Sequence, residues 1–313
     1  MWLKSIKAFK VTPPHGKTEQ DWKEALARQI SKPCPPDSGL AYGWSSAFKE
    51  EGAELVASVS GFHKVDFIVS KRLLPQDVIK QTVADRVAEL ELSQGVSVSK
   101  KEQRRMQDEV HFELLPKAFV QQKSAPVCWC PESNLLLVGT TQTAMIEHLV
   151  TCWAKCLPGW KLKPIQTETP PERKLTAWMK GDERLPDGLT WGESCQLVDP
   201  QDRYCTIRFN GNELTSHTVI QHLKDGMSVK QAALIWQEKI RFTLSEGCVL
   251  SALKPIDIDK EYEEGQSKAE QIAMDLALMA PLYHACLNDV LQACDGLPEK
   301  AEPVAPRAAI EVF

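Results

Sequence analysis

The chain has 313 residues, of which 43% are hydrophobic and 25% charged, and its formal net charge at pH 7 is −5. This composition is ordinary for a soluble globular protein, and the length is sufficient for two or three domains. No run of about 18 apolar residues occurs, so the sequence predicts no membrane-spanning helix. The opening segment MWLKSIKAFKV lacks the apolar core and cleavage site of a signal peptide, which predicts a cytoplasmic protein with reduced cysteines.

Charge is unevenly distributed along the chain. Residues 257–313 contain 12 acidic and 4 basic side chains, whereas residues 1–256 contain 33 basic and 30 acidic ones. Because local patches determine contact with polyanions, the negative net charge does not exclude a nucleic-acid partner for the first 256 residues.

The first seventy residues predict a strand, an amphipathic helix and a β-hairpin. Residues 2–11 alternate as a strand does, and the helix runs from about Glu19 to Ile30. Residues 54–60 and 65–70 are typical of two strands joined through Gly61.

Two consecutive helices are predicted next, and together they form a helical arm over about residues 75–116. Pro75 suits the first turn of the first helix, which extends to about Leu92. Ser99 and Glu102 have the spacing of a capping box at the start of the second helix. Two such helices in succession favour an antiparallel pair.

The second helix of this arm carries a basic cluster. Lys100 and Lys101 fall in its first turn, where the helix dipole disfavours cations by about 0.3–1 kcal/mol each. Cations placed there without a local benefit indicate a functional requirement. Binding of an anionic polymer would explain them. The alternative is a solvated face, since Asp108 and Glu109 have the i,i+4 spacing that pairs them with the arginines. The cluster consists of Lys100, Lys101, Arg104 and Arg105, roughly opposite the apolar stripe Met106, Val110 and Leu114.

The remainder of the chain mixes helices and strands without a regular βαβ alternation, which predicts an α+β fold. We divide it into an N-terminal α+β portion (1–166), a second α+β portion (167–256) and a C-terminal helix with an acidic tail (257–313). The proline-rich segment 163–174 is predicted as a linker. The predicted elements are strands at 127–129, 135–138, 204–209, 229–235, 240–244 and 249–253, and helices at 143–156, 175–180 and 267–293.

Two patterns raise the question of metal chemistry. A CxC pair in a strand and a His–Cys–Cys series along a helix offer five zinc ligands, but no CxxC pair occurs, so buried structural cysteines are favoured. An acidic cluster suggests a Mg²⁺-dependent nuclease, although a polar connector explains consecutive carboxylates better. We predict no metal, no cofactor and no enzymatic activity, with the nuclease as the alternative. The residues concerned are Cys128, Cys130, His148, Cys152 and Cys156 for zinc, and Asp257, Asp259, Glu261, Glu263 and Glu264 for magnesium.

Several segments occur in an order that resembles one known family. They are Gly43-Trp44 after Cys34, LLPQDVIKQTVADRVAELE followed by KKEQRRMQDEVHFELLPKAF, LTAWMK at 175–180, and ALIWQEKIRFTL at 233–244. This ordered set resembles the RdgC family of recombination-associated proteins over nearly the whole chain, and the C-terminal part matches more weakly.

The resemblance implies a non-enzymatic bacterial protein that binds single- and double-stranded DNA with little sequence preference. It implies an elongated protomer with mixed and antiparallel sheets and a helical arm. Two protomers form a ring-shaped homodimer whose basic inner wall can surround duplex DNA. Members restrain the RecA recombinase by occupying its DNA, which implies a nucleoid-associated location. A protein-only module that contacts the recombinase directly is a third hypothesis.

The resemblance also bears on individual residues. Lys100, Lys101, Lys117 and Phe119 match the family pattern, in which the aromatic lies at the dimer contact; an ordinary core phenylalanine is the alternative. Relatives can carry a lysine pair where this chain has Asn210-Gly211. The predicted DNA contacts are Lys100, Lys101, Arg104, Arg105, Lys117, Lys123, Lys71, Arg72 and Lys80.

One further pair of cations lies outside that set. Lys239 and Arg241 alternate with Ile240 and Phe242 on a predicted strand, so both cations should share the face opposite the apolar one. They could line a groove, but a solvated outer face is the favoured interpretation.

Overall fold

The computed structural model describes residues 2–48, 54–202, 204–211, 214–258, 262 and 265–298. Within these ranges the protein is α+β, with helices and two sheets. The chain divides into two compact units. The first consists of described residues from Phe9–Leu162 and Tyr262–Leu278, and the second of described residues from Trp2–Ala8, Lys163–Glu261 and Met279–Phe313.

The larger sheet has seven strands in the order β2-β4-β5-β6-β1-β7, with β3 paired to β4. Its strands β2 to β6 belong to the first unit, and β4 and β5 form a long antiparallel pair of 12 residues each. The strands are β1 (Lys7–Thr12), β2 (Leu40–Ser45), β3 (Ala57–Val59), β4 (Phe62–Leu73), β5 (Phe119–Cys130), β6 (Leu135–Val138) and β7 (Lys161–Pro164).

Two helices of the first unit contribute to its core. Helix α1 (Glu19–Ala27) begins at a capping box in which Thr18 and Asp21 satisfy each other's backbone N–H groups. Helix α4 (Thr143–Cys156) coincides with the predicted helix and buries its apolar face. The core is rich in aromatic side chains, including Trp22, Trp44, Phe67, Trp129 and Trp153.

The predicted pair of helices is present. Helix α2 (Gln76–Gln94) ends at Gly95, whose φ of 70° is a left-handed conformation that suits glycine. Helix α3 (Lys100–Leu114) begins at Ser99, whose side chain accepts a hydrogen bond from the N–H of Glu102. A single 3-10 turn then leads into β5. Ile79 of α2 and Val110 of α3 are fully buried, and the two helices pack against each other.

The second unit contains a five-stranded antiparallel sheet in the order β12-β11-β10-β8-β9. Helix α5 packs against β10 of this sheet. The elements are α5 (Pro171–Lys180), β8 (Leu189–Val198), β9 (Thr206–Asn210), α6 (His217–Lys224), β10 (Ser228–Trp236), β11 (Ile240–Ser245), β12 (Val249–Pro255) and α7 (Lys268–Ala293), whose last part belongs to this unit.

The structure differs from the element predictions in several places. The segment predicted as a linker, 163–174, contains the end of β7 and the first turn of α5, because Pro170 and Pro171 suit a helix start as well as a loop. Strands β2 and β8 and helix α6 were not predicted. Strand β5 begins eight residues before its predicted start, since its first half, FVQQKS, is exposed, mostly polar and without apolar alternation.

The cysteines pack as structural residues. All ten are free, and nine of them are buried, with Cys205 exposed. Burial and the neighbouring Cys130 raise the pKa of Cys128 to about 12, so this thiol is protonated at neutral pH. Within the described ranges no three His, Cys, Asp or Glu side chains converge on a metal site, and no described helix is long and apolar enough to cross a membrane.

Candidate nucleic-acid interface

The cations predicted on α3 lie at the end of the helical arm next to the α2–α3 connection. Lys100, Lys101 and Arg104 are exposed, and within the described part of the chain no carboxylate forms an ion pair with them. Arg105 pairs with Glu109 at 3.1 Å, one helical turn away. The four acidic residues of α3 equal its basic residues in number, but three of them lie in its second half. Positive charge is therefore concentrated in the first two turns.

Two other predicted cations sit beside carboxylates on the helical arm. Lys117 Nζ lies 3.7 Å from Glu113, and Lys80 Nζ lies 3.7 Å from Asp77. Glu113 also receives a hydrogen bond from Arg86, which is the main cause of the lowered pKa of that carboxyl group. Lys117 and Lys80 remain about 70% exposed, so a phosphate could compete for them.

Arg72 has a structural role that the sequence did not predict. Its guanidinium donates hydrogen bonds of 3.0–3.2 Å to five backbone carbonyl oxygens. These bonds join the end of β4 to the turn after α3 and to a loop before β2, and all three guanidinium nitrogens take part in them. We therefore leave Arg72 out of the proposed phosphate contacts. The acceptors belong to Cys34, Pro35, Leu115, Pro116 and Ala118.

Strands β2, β4 and β5 extend beyond the core. One side of this extension is an open surface, which we call the ribbon face. Residues directly opposite each other in neighbouring strands share a face, so the register defines its rows. Lys71 and Lys123 are exposed there, on adjacent rows. None of the side chains on this face is acidic. The rows, moving away from the core, are Tyr42–Val69–Lys123, Leu40–Lys71–Gln121 and Leu73–Phe119.

Tyr42 of the ribbon face and two residues beside it were not predicted from the sequence as part of a nucleic-acid interface. The ring of Tyr42 stacks on that of His148 of α4, with centroids 5.1 Å apart and planes inclined by 14°. Lys155 Nζ lies 3.3 Å from the Tyr42 hydroxyl and 5.6 Å from the ring centroid. His148 was noted only as a zinc ligand, and no local pattern connects it with Tyr42, 106 positions earlier in the sequence.

Phe119 is not an ordinary core phenylalanine. Its side chain is 86% exposed, and Leu73 opposite it is 45% exposed. Exposure of this kind is typical of a residue that another surface covers.

The second sheet also carries cations. Arg241 of β11 lies directly opposite Lys254 of β12, and both are exposed. Lys239 lies in the turn before β11 rather than on the strand. Lys254 was missed because strand pairing, not spacing, brings it beside Arg241.

The acidic cluster considered for magnesium is described only at Asp257, which is exposed. Its other members, Asp259, Glu261, Glu263 and Glu264, lie outside the described residues, as do Asn212, Glu213 and residues 299–313.

Comparison with known proteins identifies the family. Residues 1–297 match the model of the family described as "Putative exonuclease, RdgC". The chain belongs to the RdgC family. It is 26% identical over 305 residues to the recombination-associated protein RdgC of Shewanella sediminis, covering 96% of this chain and 99% of that protein. It is 27% identical over 300 residues to the protein of the same name from Pseudomonas fluorescens, covering 95% and 98%. The family predicted from the ordered segments is confirmed.

A third relative, from Cupriavidus necator, carries the same name and is 25% identical over 298 residues. The names of these relatives refer to recombination, whereas the description of the family refers to an exonuclease. The two descriptions correspond to different chemistry, DNA binding in one case and DNA cleavage in the other.

Proposed function

We propose that this RdgC-family protein is a DNA-binding protein that holds single- and double-stranded DNA without reading its sequence. The observation that carries the proposal is the exposed group Lys100, Lys101 and Arg104, which has no carboxylate partner among the described residues. Lys100 and Lys101 lie in the first turn of α3, where cations are costly, and a polyanion compensates that cost. Lys71 and Lys123 on the ribbon face extend the same chemistry.

The arrangement favours contact with phosphates over contact with bases. Lysines and arginines dispersed over an exposed helix and an open sheet face can neutralise phosphates wherever the backbone passes. Sequence readout would instead need a fixed element in a groove, with side chains directed at base edges.

The proposal includes a ring-shaped homodimer. Phe119 and Leu73 form an exposed apolar pair, and a two-fold axis would bring the same pair from both copies together. A second contact elsewhere on each protomer would close a ring around DNA. An enclosed duplex is retained without tight individual contacts, because its escape requires an interface to open. The protein would then restrain the RecA recombinase on the nucleoid by occupying its DNA.

Salt dependence of DNA affinity tests the proposal. We expect the logarithm of affinity for any sequence to fall linearly with the logarithm of salt concentration. The variant K100A/K101A/R104A/R105A should bind all sequences more weakly, and its slope should be smaller by roughly 0.9 for each phosphate that the variant no longer neutralises. Fluorescence anisotropy with labelled duplex and single strand measures both quantities.

The control variant K161A/K163A/K180A/K224A removes the same charge from four exposed lysines elsewhere and should change the slope less. Affinity that ignores salt would refute phosphate binding. An effect equal in the two variants would refute the assignment to α3.

The family description makes a nuclease the second candidate. Incubation of labelled DNA with the protein and Mg²⁺ separates the two: cleavage that is lost in D257N/D259N would replace our proposal. A module that contacts the recombinase without DNA is tested by inhibition of strand exchange, since inhibition that persists at saturating DNA would support it.

A further inference from the structure

We propose that Tyr42 and His148 form a stacking platform for an unpaired nucleobase, and that the adjoining strand backbone passes over Lys123 and Lys71. This inference rests on the proposed DNA-binding function and assigns to one surface a preference for single strands.

The two rings are arranged in advance for stacking. Their planes are inclined by only 14°, with centroids 5.1 Å apart. The Tyr42 ring also neighbours that of Phe67 in the core, in a tilted arrangement with a centroid distance of 6.3 Å. Tyr42 and His148 are each half-buried, so part of the stacked pair is accessible to solvent. Because the rings are already ordered, a base that adds to the stack loses little of its free energy to ordering the protein.

Cations lie where the phosphates of such a strand would run. Lys155 is in contact with the Tyr42 hydroxyl. Lys123 belongs to the same row as Tyr42, two strands away, a separation of roughly 10 Å between backbones. Lys71 follows on the next row. This spacing is comparable to the reach from a base to its neighbouring phosphates.

The absence of acidic side chains from the rows of the ribbon face favours an anionic partner. The rings of Tyr42 and His148 favour one class of anion over the others. A duplex keeps its bases stacked inside the helix, so it cannot add one to an external platform. A single strand exposes the π-face of every base, and aromatic platforms combined with cationic grooves are the usual solution for binding it without sequence preference. An acidic peptide would use the cations and leave the rings uncovered.

The experiment compares three oligonucleotides of equal length: oligo(dT), an abasic strand that keeps the phosphates, and a blunt duplex. The wild-type protein should bind oligo(dT) about tenfold more tightly than the abasic strand. In H148A this ratio should fall to below about threefold, with affinities for the abasic strand and the duplex changed less than about twofold.

Y42F keeps the ring and should keep the ratio, whereas Y42L should lose it. H15A removes an exposed histidine elsewhere in the first unit and serves as the matched control. Thermal unfolding of each variant shows whether the fold is retained, and Y42F with H148A still decides the question if Y42L does not fold.

Equal affinity of the wild type for oligo(dT) and the abasic strand would overturn the platform, as would an equal loss of all three ligands in H148A. Competition by polyglutamate as strong as that by oligo(dT) at equal charge would also overturn it. In these cases salt-dependent duplex binding would leave the proposed function intact, whereas failure to bind any of the three oligonucleotides would refute that function itself.

Discussion

Phe119 lies directly opposite Leu73 at the outer end of the β4–β5 pair, and both side chains are exposed. Strand pairing fixes this juxtaposition, so the two residues form one apolar surface rather than two scattered side chains. Aromatic side chains, phenylalanine included, are enriched in the buried core of protein interfaces.

We expect Phe119→Ser to weaken self-association by about 2 kcal/mol, or roughly thirtyfold in the dimer dissociation constant, as loss of a central aromatic anchor does. Sedimentation at several protein concentrations measures the change, and retention on closed circular DNA should fall with it. Phe112, which is 68% exposed on α3, provides the control Phe112→Ser. An identical sedimentation profile for wild type and Phe119→Ser would remove Phe119 from the interface.

Replacement of Arg72 by lysine should destabilise the protein although the charge is kept. A lysine cannot donate to several carbonyl groups in the fork geometry of a guanidinium, so the bonds to Leu115, Pro116 and Ala118 would be lost together. We expect a loss of about 2 kcal/mol in unfolding free energy, measured by urea titration. Lys71→Arg is the neighbouring control and should be neutral; Arg72→Lys with wild-type stability and weaker DNA binding would indicate a direct phosphate contact instead.

The buried ion pair on β4 predicts a large cost of single substitution. Lys64 Nζ lies 2.9 Å from Asp66 Oδ1, and both side chains are less than 10% exposed. Lys64→Met leaves a buried carboxylate without this cation and should cost about 3–5 kcal/mol. The double change Lys64→Met with Asp66→Leu should cost less, because it removes both charges. Chemical denaturation compares the two, and a single variant less damaging than the double would contradict this account.

Stability should fall in mild acid because of His63. Its Nε2 lies 2.8 Å from Glu19 and its Nδ1 lies 2.9 Å from Ser58 Oγ, in a nearly buried position. Burial is the main cause of the lowered pKa of His63, against an opposing effect of Glu19. The unfolded chain therefore binds a proton more readily than the folded one. The contribution is complete above pH 6.5, the ordinary value, and is lost as pH falls through the folded pKa.

The unfolding temperature measured from pH 7.5 to pH 5 checks this expectation. His63→Gln should show a shallower decrease than the wild type over that range. Parallel curves for the two proteins would show that another group controls acid sensitivity.

The helical arm could be predicted because its signals are local. Gly95 and Ser99 stand at the end of one helix and the start of the next, and each acts within one turn of itself. The apolar positions Met106, Val110 and Leu114 then gave the correct inner side of α3, where Val110 is fully buried.

The ribbon face could not be predicted, because long-range pairing creates it. Lys71 and Lys123 come together only through the register of β4 and β5, and the exposed, mostly polar first half of β5 carries no strand pattern. The role of Arg72 was hidden for the same reason, since its acceptors include residues 38 and 46 positions away. A sequence does not show whether the hydrogen-bond donors of a basic side chain are already bonded to backbone carbonyl oxygens.

The glycine at position 43 has a consequence for how the protein behaves at high concentration. Strand β2 is an outer strand of its sheet, but Gln29 and Ser31 bond the backbone of Trp44, and a Cβ at Gly43 would lie 2.7 Å from the Ser31 nitrogen. Only a residue without a side chain lets that segment cover the strand. Gly43→Ala would displace the segment of Gln29 and Ser31 and leave backbone groups of β2 unpaired, where a strand of another molecule can bind. Gly43 therefore protects the protein against aggregation as well as shaping the fold.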